Sequence, residues 1–261
     1  MKTTIVFISL LLIVFGCNNQ KSKNNSLSKM NLNGKVKAVK SVSYIAIVDE
    51  NNVHEKGERR NRERIHHTSL NRLMKFDELG NRLSAVHSNS NGINQFSAEF
   101  IYNAYGYNDE INFFDSEANP SDKVIILFDK SQRPIKELWY SKYGGLGRKK
   151  TISYDNYGNK VEEKIFEMNK LHSIWRYEYD KNNQVIEERI YDNDDSLLNK
   201  YNYVLDENGN EIELIKHDGD GNLVFHLKYE LEFDDKNNWI RRIEYNENVA
   251  ELIIERDITY Y

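Results

Sequence analysis

An aromatic residue followed by aspartate and a turn recurs about every 26 residues, and no other feature of the chain limits its fold so strongly. The copies are Phe76-Asp77-Glu78-Leu79-Gly80-Asn81, Tyr102-Asn103-Ala104-Tyr105-Gly106, Phe128-Asp129, Tyr154-Asp155-Asn156-Tyr157-Gly158-Asn159, Tyr179-Asp180, Leu205-Asp206-Glu207-Asn208-Gly209-Asn210 and Phe233-Asp234. An Asp at the first turn position can accept a hydrogen bond from backbone two residues on, and Gly or Asn three residues later accepts a positive φ. Each copy therefore reads as a hairpin turn flanked by strands. Trp175, Tyr177 and Tyr179 alternate with Arg176 and Glu178, and Leu227, Tyr229, Leu231 and Phe233 alternate with Lys228, Glu230 and Glu232. A period of two places the aromatics on one face of a sheet and the charges on the other.

The spacing predicts an all-β chain: an antiparallel β-hairpin repeat meander of roughly 14–16 strands, curled or folded over on itself because so long an aromatic face cannot stay wet. The 17 tyrosines suit half-buried strands, and Pro120 and Pro134 are the only prolines that interrupt them. Second turns lie between the repeats, at Ser90-Asn91-Gly92, Asn119-Pro120-Ser121, Gly144-Gly145-Leu146-Gly147, Asn193-Asp194-Asp195 and Asp218-Gly219-Asp220-Gly221-Asn222. Their varied content predicts loops of differing length at one rim, where binding specificity would reside. Glu162, Glu163, Lys164, Glu187, Glu188 and Arg189 are expected on the solvated face.

The order aromatic, Asp, two free positions, Gly, Asn resembles the YD repeat of Rhs-type proteins. Tyr154-Asp155 with Gly158-Asn159 is the fullest match, and the resemblance runs from about Met74 to Tyr261. Leu205 replaces the aromatic in one copy, Asn103 replaces the Asp in another, and the copies at Phe128, Tyr179 and Phe233 lack the Gly. The opening Leu32-Asn33-Gly34-Lys35-Val36-Lys37 and the closing Glu255-Arg256-Asp257-Ile258-Thr259-Tyr260-Tyr261 resemble the ends of small YD-repeat-like lipoproteins of the Bacteroidetes. That resemblance implies a fold and no activity.

The N-terminus carries an address. Lys2 precedes an apolar run from Ile5 to Phe15, too short to span a bilayer, and Val14-Phe15-Gly16-Cys17 resembles a bacterial lipobox. Residues 1–16 are expected to be a lipoprotein signal peptide, and Cys17, the only cysteine, the lipidated first residue of the mature chain. Residues 17–33, rich in Asn, Ser and Lys, read as a flexible tether, and residues 34–261 as one repeat domain. Lys21 and Lys23 in place of an acidic run favour the periplasmic face of the outer membrane over the cell surface.

Residues with chemistry to offer are few. Asp218, Asp220 and Asn222 have the spacing that opens a calcium loop, but Leu223 and Tyr229 stand where Gly and Glu are needed, and a hairpin tip explains them better. Asp192, Asp194 and Ser196 form a similar set. His66 and His67, as strand neighbours, point to opposite faces and cannot share an ion. The basic run Arg59, Arg60, Arg62 and Arg64 is diluted by Glu55, Glu58 and Glu63. Gly144 to Lys149 fits no phosphate-loop spacing and is read as a turn. Tyr140, Tyr143 and Tyr191 are the rim aromatics on which a sugar could stack.

The expectation is a non-catalytic, lipid-anchored envelope protein without a cofactor, offering a scaffold or binding surface to another envelope protein or a glycan. A glycan-binding module is the second reading and an envelope-polymer hydrolase the third. With a net charge of −5, nucleic acid is no natural partner. Replacing Cys17 by Ser is expected to abolish incorporation of labelled palmitate and to release the chain from the membrane fraction; palmitate in the variant would contradict the lipobox reading.

Overall fold

Hairpin turns set the shape. The computed structural model describes residues 25–48, 54–60 and 71–261. At the turn after Tyr154, the Asp155 N–H donates to the Asn159 carbonyl (2.9 Å) and the Gly158 N–H to the Asp155 carbonyl (3.2 Å). The Asp155 carboxylate closes the loop: Oδ1 accepts from the N–H groups of Tyr157 and Asn159, and Oδ2 from the Asn159 side chain. Asp77, Asn103, Asp129, Asp180, Asp206 and Asp234 cap their turns in the same way. Gly158 sits at φ +90°, and the copies that lack glycine put Gln132, Asn183 and Asn237 into the same left-handed region.

The second rim departs from expectation. Asn89, Asp115, Asp192 and Asp218 form the same side-chain-capped turn, and Ser141 keeps its backbone bonds. The five turns at 89–93, 115–119, 141–145, 192–196 and 218–222 do not vary in length as their composition suggests, because any Asx residue at the first position closes the same turn. The structural unit is therefore one strand and one turn, at alternating steps of about 12 and 14 residues, half the length of the sequence repeat. Two hairpins differ: Met168-Asn169 and Glu247-Asn248 are two-residue turns with both residues at positive φ.

A short helix, α1 (Ser26–Lys29), precedes β1 (Val36–Val48), β2 (His54–Arg59), β3 (Arg72–Phe76), β4 (Arg82–Ser88), β5 (Asn94–Tyr102), β6 (Asn108–Phe114), β7 (Pro120–Phe128), β8 (Pro134–Tyr140) and β9 (Leu146–Tyr154). There follow β10 (Lys160–Glu167), β11 (Lys170–Tyr179), β12 (Val185–Tyr191), β13 (Leu197–Leu205), β14 (Glu211–Asp218), β15 (Leu223–Phe233), β16 (Trp239–Asn246) and β17 (Val249–Tyr260). Pro120 and Pro134 each open a strand, where a missing N–H costs least. From β3 to β17 every strand pairs antiparallel with the next, and β1 pairs with both β17 and β3, closing a 16-strand barrel. β2 extends the ring by pairing with the far half of β1. Between β2 and β3 the chain leaves at Arg60 and returns at Asn71, and both ends are held on Ser43: its N–H donates to Asn71 Oδ1 (2.9 Å), and its carbonyl accepts from the Arg60 N–H (2.9 Å).

The repeat aromatic has a definite task. Next to each turn the ladder slips by one residue, which frees a carbonyl on the neighbouring strand. Tyrosine hydroxyls reach these strand starts: Tyr102 donates to the Arg82 carbonyl (3.0 Å), Tyr154 to Pro134 (2.7 Å) and Tyr179 to Lys160 (2.8 Å). Each hydroxyl thus latches one hairpin to the hairpin before it.

Strand parity separates the walls. Facing inward are Tyr177, Tyr201, Leu214, Leu227 and Tyr229, all buried. Outward positions carry ion pairs, across strands at Arg176–Glu162 (3.2 Å) and Arg189–Glu178 (2.8 Å) and along β10 at Lys164–Glu162 (3.2 Å). Glu162, Lys164, Glu187 and Arg189 are outward, as expected. Glu163 and Glu188 are not: they are inward and only 6% and 3% exposed, since adjacent strand residues must point to opposite faces.

The tether reading is corrected at its C-terminal end. Residues 25–33 are docked across the rim of aromatic–aspartate turns. The Leu27 N–H donates to the Gly80 carbonyl (3.2 Å), and Gly80 is approached so closely that an added Cβ would lie 2.4 Å from Asn25 Nδ2. Asn31 donates to the Asn208 carbonyl and to Asn210 Oδ1. Asn33 exchanges two hydrogen bonds with the Asn238 side chain, whose amide also donates to the Tyr260 hydroxyl. Leu27 and Leu32 are buried against Val36, Val39, Met74, Phe76 and Ala85. Cys17 and residues 17–24 lie outside the described residues.

Asn238 is almost wholly buried, so Asn238→Ala leaves several polar groups without partners and is expected to cost about 2–3 kcal/mol. The urea midpoint should fall, and proteolysis within 25–33 should accelerate before the barrel itself is cut. An unchanged rate of cleavage there would show that the segment is not held by this residue.

Candidate functional site

Sixteen strands make a ring too wide for side chains alone to fill. The space that remains lies in the lumen, and a further groove opens on the outer wall.

The outer groove, of about 690 Å³, forms where β6, β7 and β8 meet the turns at 115–119 and 141–145. Phe114, Pro120 and Tyr140 give it apolar walls, and Asn112, Asp122 and Lys142 offer hydrogen-bonding groups. Tyr140 is half-buried in the wall, and Tyr143 stands at the lip, 86% exposed on a turn whose Ser141, Lys142 and Gly144 line the groove. Tyr140 therefore lines the groove, and Tyr143 stands on the turn that borders it without being one of the lining residues. Tyr191 is remote from both: it ends β12, four strands further on, and lies beneath the Arg176 guanidinium (4.5 Å to the ring centroid).

The lumen contains a line of ionisable side chains across successive strands. Lys150 bridges Glu137 (3.3 Å) and Glu163 (3.6 Å), and Glu163 also receives Lys160 (2.9 Å) and the Tyr177 hydroxyl (2.9 Å). Lys160 also lies 4.0 Å from the centroid of the Tyr177 ring, and Tyr177 faces Glu188 across the ladder. Burial alone would raise the Glu163 carboxyl, but the two ammonium groups and the donors on it hold it below the usual carboxylate range. Burial pushes the Glu188 carboxyl up to about 7, opposed by Lys160 and reinforced by Glu163. Burial raises the Tyr177 hydroxyl as well, with Glu163 and Glu188 acting in the same direction.

α1 and the residues after it divide the mouth of the lumen. On one side is a cavity of about 670 Å³ that reaches Lys160, Tyr177 and Glu188; on the other is one of about 380 Å³ with Arg72, Trp239, Arg242 and Arg256 in its wall. Lys29, Asn31 and Glu211 border both. His87, stacked on Phe96 (4.3 Å), is held down to about 4 by burial and by Arg72 and Arg82.

The remaining sequence candidates resolve as turns or fall outside the described residues. Asp218 Oδ1 accepts from the N–H groups of Asp220 and Asn222, and Oδ2 from the Asn222 side chain, so these oxygens are engaged inside the hairpin tip. Those same donors keep the Asp218 carboxyl below its ordinary value. Asp192 caps its turn likewise through Asp194 and Ser196. Gly144 and Gly145 belong to the 141–145 turn and Leu146 starts β9. Arg59 and Arg60 are exposed at the end of β2, whereas Arg62, Arg64, His66 and His67 lie outside the described residues. Among the described residues, no group of three or more His, Cys, Asp or Glu side chains is placed to hold a metal ion.

Inward-facing Glu163 and Glu188 had a readable signal. Glu163 is in phase with Val161 and Ile165, and Glu188 with Ile186 and Ile190, so each carboxylate interrupts an apolar phase. No such local signal joins Lys29, Arg72, Arg242 and Arg256, which meet only because the ring closes.

No family model matches the chain, and no curated protein matches it. Among solved structures it is similar to a porin-like protein from Bacteroides vulgatus ATCC 8482 (10% identity, 87% of this chain and 99% of that one, TM-score 0.48). A porin-like protein from Bacteroides uniformis ATCC 8492 is also similar (9% identity, 86% and 98%, TM-score 0.40). A chain of the Photorhabdus luminescens Tc holotoxin pore is similar over 78% of this chain but only 12% of its own length (12% identity, TM-score 0.32). These neighbours are β-rich, as this chain is, and at such scores the likeness says nothing of what it does.

A carboxyl raised on folding binds its proton more tightly in the native state. The stability that Glu188 contributes is therefore fully present below about pH 4.5, declines as pH rises, and is lost above about pH 7. Glu188→Gln is expected to raise the melting temperature at pH 8, by the equivalent of about 2–3 kcal/mol, and to leave it unchanged at pH 4. Equal effects at both pH values would contradict a titrating Glu188.

Proposed function

We propose that the chain is a non-catalytic, lipid-anchored protein of the cell envelope whose barrel serves as a binding body, and that the outer groove beside Tyr140 and Tyr143 takes a glycan. One observation carries the glycan reading: Tyr140 lines a groove that also holds Asn112, Asp122 and Lys142, and the exposed Tyr143 stands on the turn bordering it. Aromatic faces stack on the apolar faces of sugar rings, and the polar groups at the sides suit their hydroxyls. A partner protein at the same surface is the coarser form of this reading.

The outer wall supports attachment through lipid rather than immersion. A barrel that faces lipid needs an outward apolar band about 25 Å tall, whereas this one carries Glu162, Lys164, Arg176, Glu178, Glu187 and Arg189 on its outer side. A water-facing barrel held at the membrane by Cys17 fits that wall, with the periplasmic face of the outer membrane as its place. Among the described residues, no helix is long and apolar enough to cross a membrane. The Rhs-type YD reading of the repeat belongs to the same proposal, supported by the Asp-capped turns and the tyrosine latches.

The hydrolase reading has one observation in its favour, the split titration of Glu163 and Glu188 in the lumen. Against it, both Glu163 oxygens are engaged, by Lys160 and by Tyr177, which suits a wall network better than a nucleophile.

Glycan arrays of envelope polysaccharides test the proposal. Binding is expected, with Tyr140→Ala and Tyr143→Ala each weakening it about tenfold, the loss of about 1 kcal/mol or somewhat more per stacking contact. Tyr191→Ala should leave affinity unchanged. Failure to bind any envelope glycan, or binding indifferent to Tyr140 and Tyr143, would refute the groove's assignment.

A further inference from the structure

The rim of aromatic–aspartate turns is not the same all round. Along one arc, the turns at 77–81, 103–107, 129–133 and 155–159, the third position holds Leu79, Tyr105, Ser131 and Tyr157. Along the other, the turns at 180–184, 206–210 and 234–238, it holds Asn182, Asn208 and Lys236. Tyr105 and Tyr157 are 84% and 90% exposed, and Leu79 is half exposed. Folding does not call for these side chains, since the Asx cap closes the turn whatever stands at that position. The hydroxyls of Tyr102 and Tyr154 latch neighbouring hairpins, whereas those of Tyr105 and Tyr157 meet no partner among the described residues. At the second and third positions of the apolar arc Glu78 is the one acid and Lys130 the one base.

The described chain starts at this arc. The Asn25 side-chain amide donates to the Leu79 carbonyl (2.7 Å), and the Leu27 N–H to the carbonyl of Gly80 (3.2 Å). Residues 17–24, between that point and Cys17, reach at most about 28 Å. β5 alone, nine residues long, measures about 30 Å. The opposite rim therefore meets a bilayer that holds Cys17 only with this stretch drawn nearly tight along the wall, whereas the arc at Leu79 meets it directly.

We infer that the arc carrying Leu79, Tyr105 and Tyr157 rests in the headgroup layer of the bilayer, with the outer groove at the opposite rim turned away from the membrane. The inference rests on the reading of Cys17 as the lipid-bearing residue. Tyrosine suits this depth because its ring enters the apolar boundary while its hydroxyl stays among headgroups and water, and Lys130 answers anionic lipid. A few such side chains bind a bilayer weakly on their own, but a short tether holds them at an effective concentration where weak contacts suffice. Laying the barrel on its side would instead press Glu162, Arg176 and Glu187 towards lipid. Exposed apolar side chains stand on the opposite rim too, Tyr143 and Met168 among them, so a reporter on each rim separates the two orientations.

Fluorescence quenching by brominated lipid tests the orientation. The mature, lipidated chain is reconstituted into vesicles of phosphatidylethanolamine and phosphatidylglycerol, with and without lipids brominated near the headgroup end of the acyl chain. Tryptophan is introduced one site at a time, by Tyr105→Trp, Tyr157→Trp, Tyr143→Trp and Met168→Trp, and the parent emission from Trp139, Trp175 and Trp239 is subtracted. Brominated lipid should quench the added emission by about half at positions 105 and 157 and leave it unchanged at positions 143 and 168. Quenching at positions 143 and 168 equal to or stronger than at 105 and 157 would overturn the inference and leave the lipid anchor standing. So would unquenched emission at 105 and 157 in protein that floats with the vesicles. Protein that does not float with them would overturn both the anchor and the orientation.

Discussion

One pairing holds the molecule together: β1 lies between β17 and β3. A meander running from β3 to β17 has two free edges, and a free edge exposes a row of unpaired N–H and C=O groups that invites another chain. The first strand of the described chain fills the gap, antiparallel to the last strand from Val36↔Tyr260 to Ile45↔Leu252 and to β3 from Ala38↔Lys75 to Ser41↔Arg72. Closure removes the edges, creates an inside, and fixes which residues face it. It also places the segment before β1 at the rim, where residues 25–33 have nowhere to lie but across the mouth.

Uniform turns make such a ring possible. An Asx side chain at the first position of a turn satisfies the N–H groups two and four residues later, so a turn closes whatever lies between. That indifference allows Ala118 or Gln132 to stand where glycine would be easier, and it keeps both rims short. With the turns so short, the recesses and charge networks lie along the walls and their edges: the groove at Tyr140 on the outside, the ionised network of Glu137, Lys150, Glu163 and Lys160 within. The tyrosine of the repeat links turn to turn through its hydroxyl, and the copies with phenylalanine or leucine do without that bond.

Much of this architecture was legible in the sequence. The spacing of aromatic–aspartate pairs gave strand number, antiparallel order and the need to curl, and the period of two put Tyr177 and Tyr229 inside with Arg176 and Lys228 outside. Two things were hidden for physical reasons. Glu163 and Glu188 look like members of exposed charge runs until their phase is compared with that of their apolar neighbours. The tether's docked end, Asn25 to Asn33, is largely polar in composition because many of its partners are turn backbones and asparagine amides, with only Leu27, Met30 and Leu32 reaching the hydrophobic core. The basic cavity was invisible for a third reason, since Lys29, Arg72, Arg242 and Arg256 are joined only by ring closure and no local pattern encodes a long-range contact.

Amide hydrogen exchange along β17 tests closure most directly, because every other feature of the lumen follows from it. In a closed barrel the β17 amides that face β1, around Ile254 to Ile258, exchange as slowly as those of the central strands β11 and β12. An open meander would leave them as edge amides, exchanging orders of magnitude faster than the centre of the sheet, and that result would contradict the barrel and everything assigned to its interior.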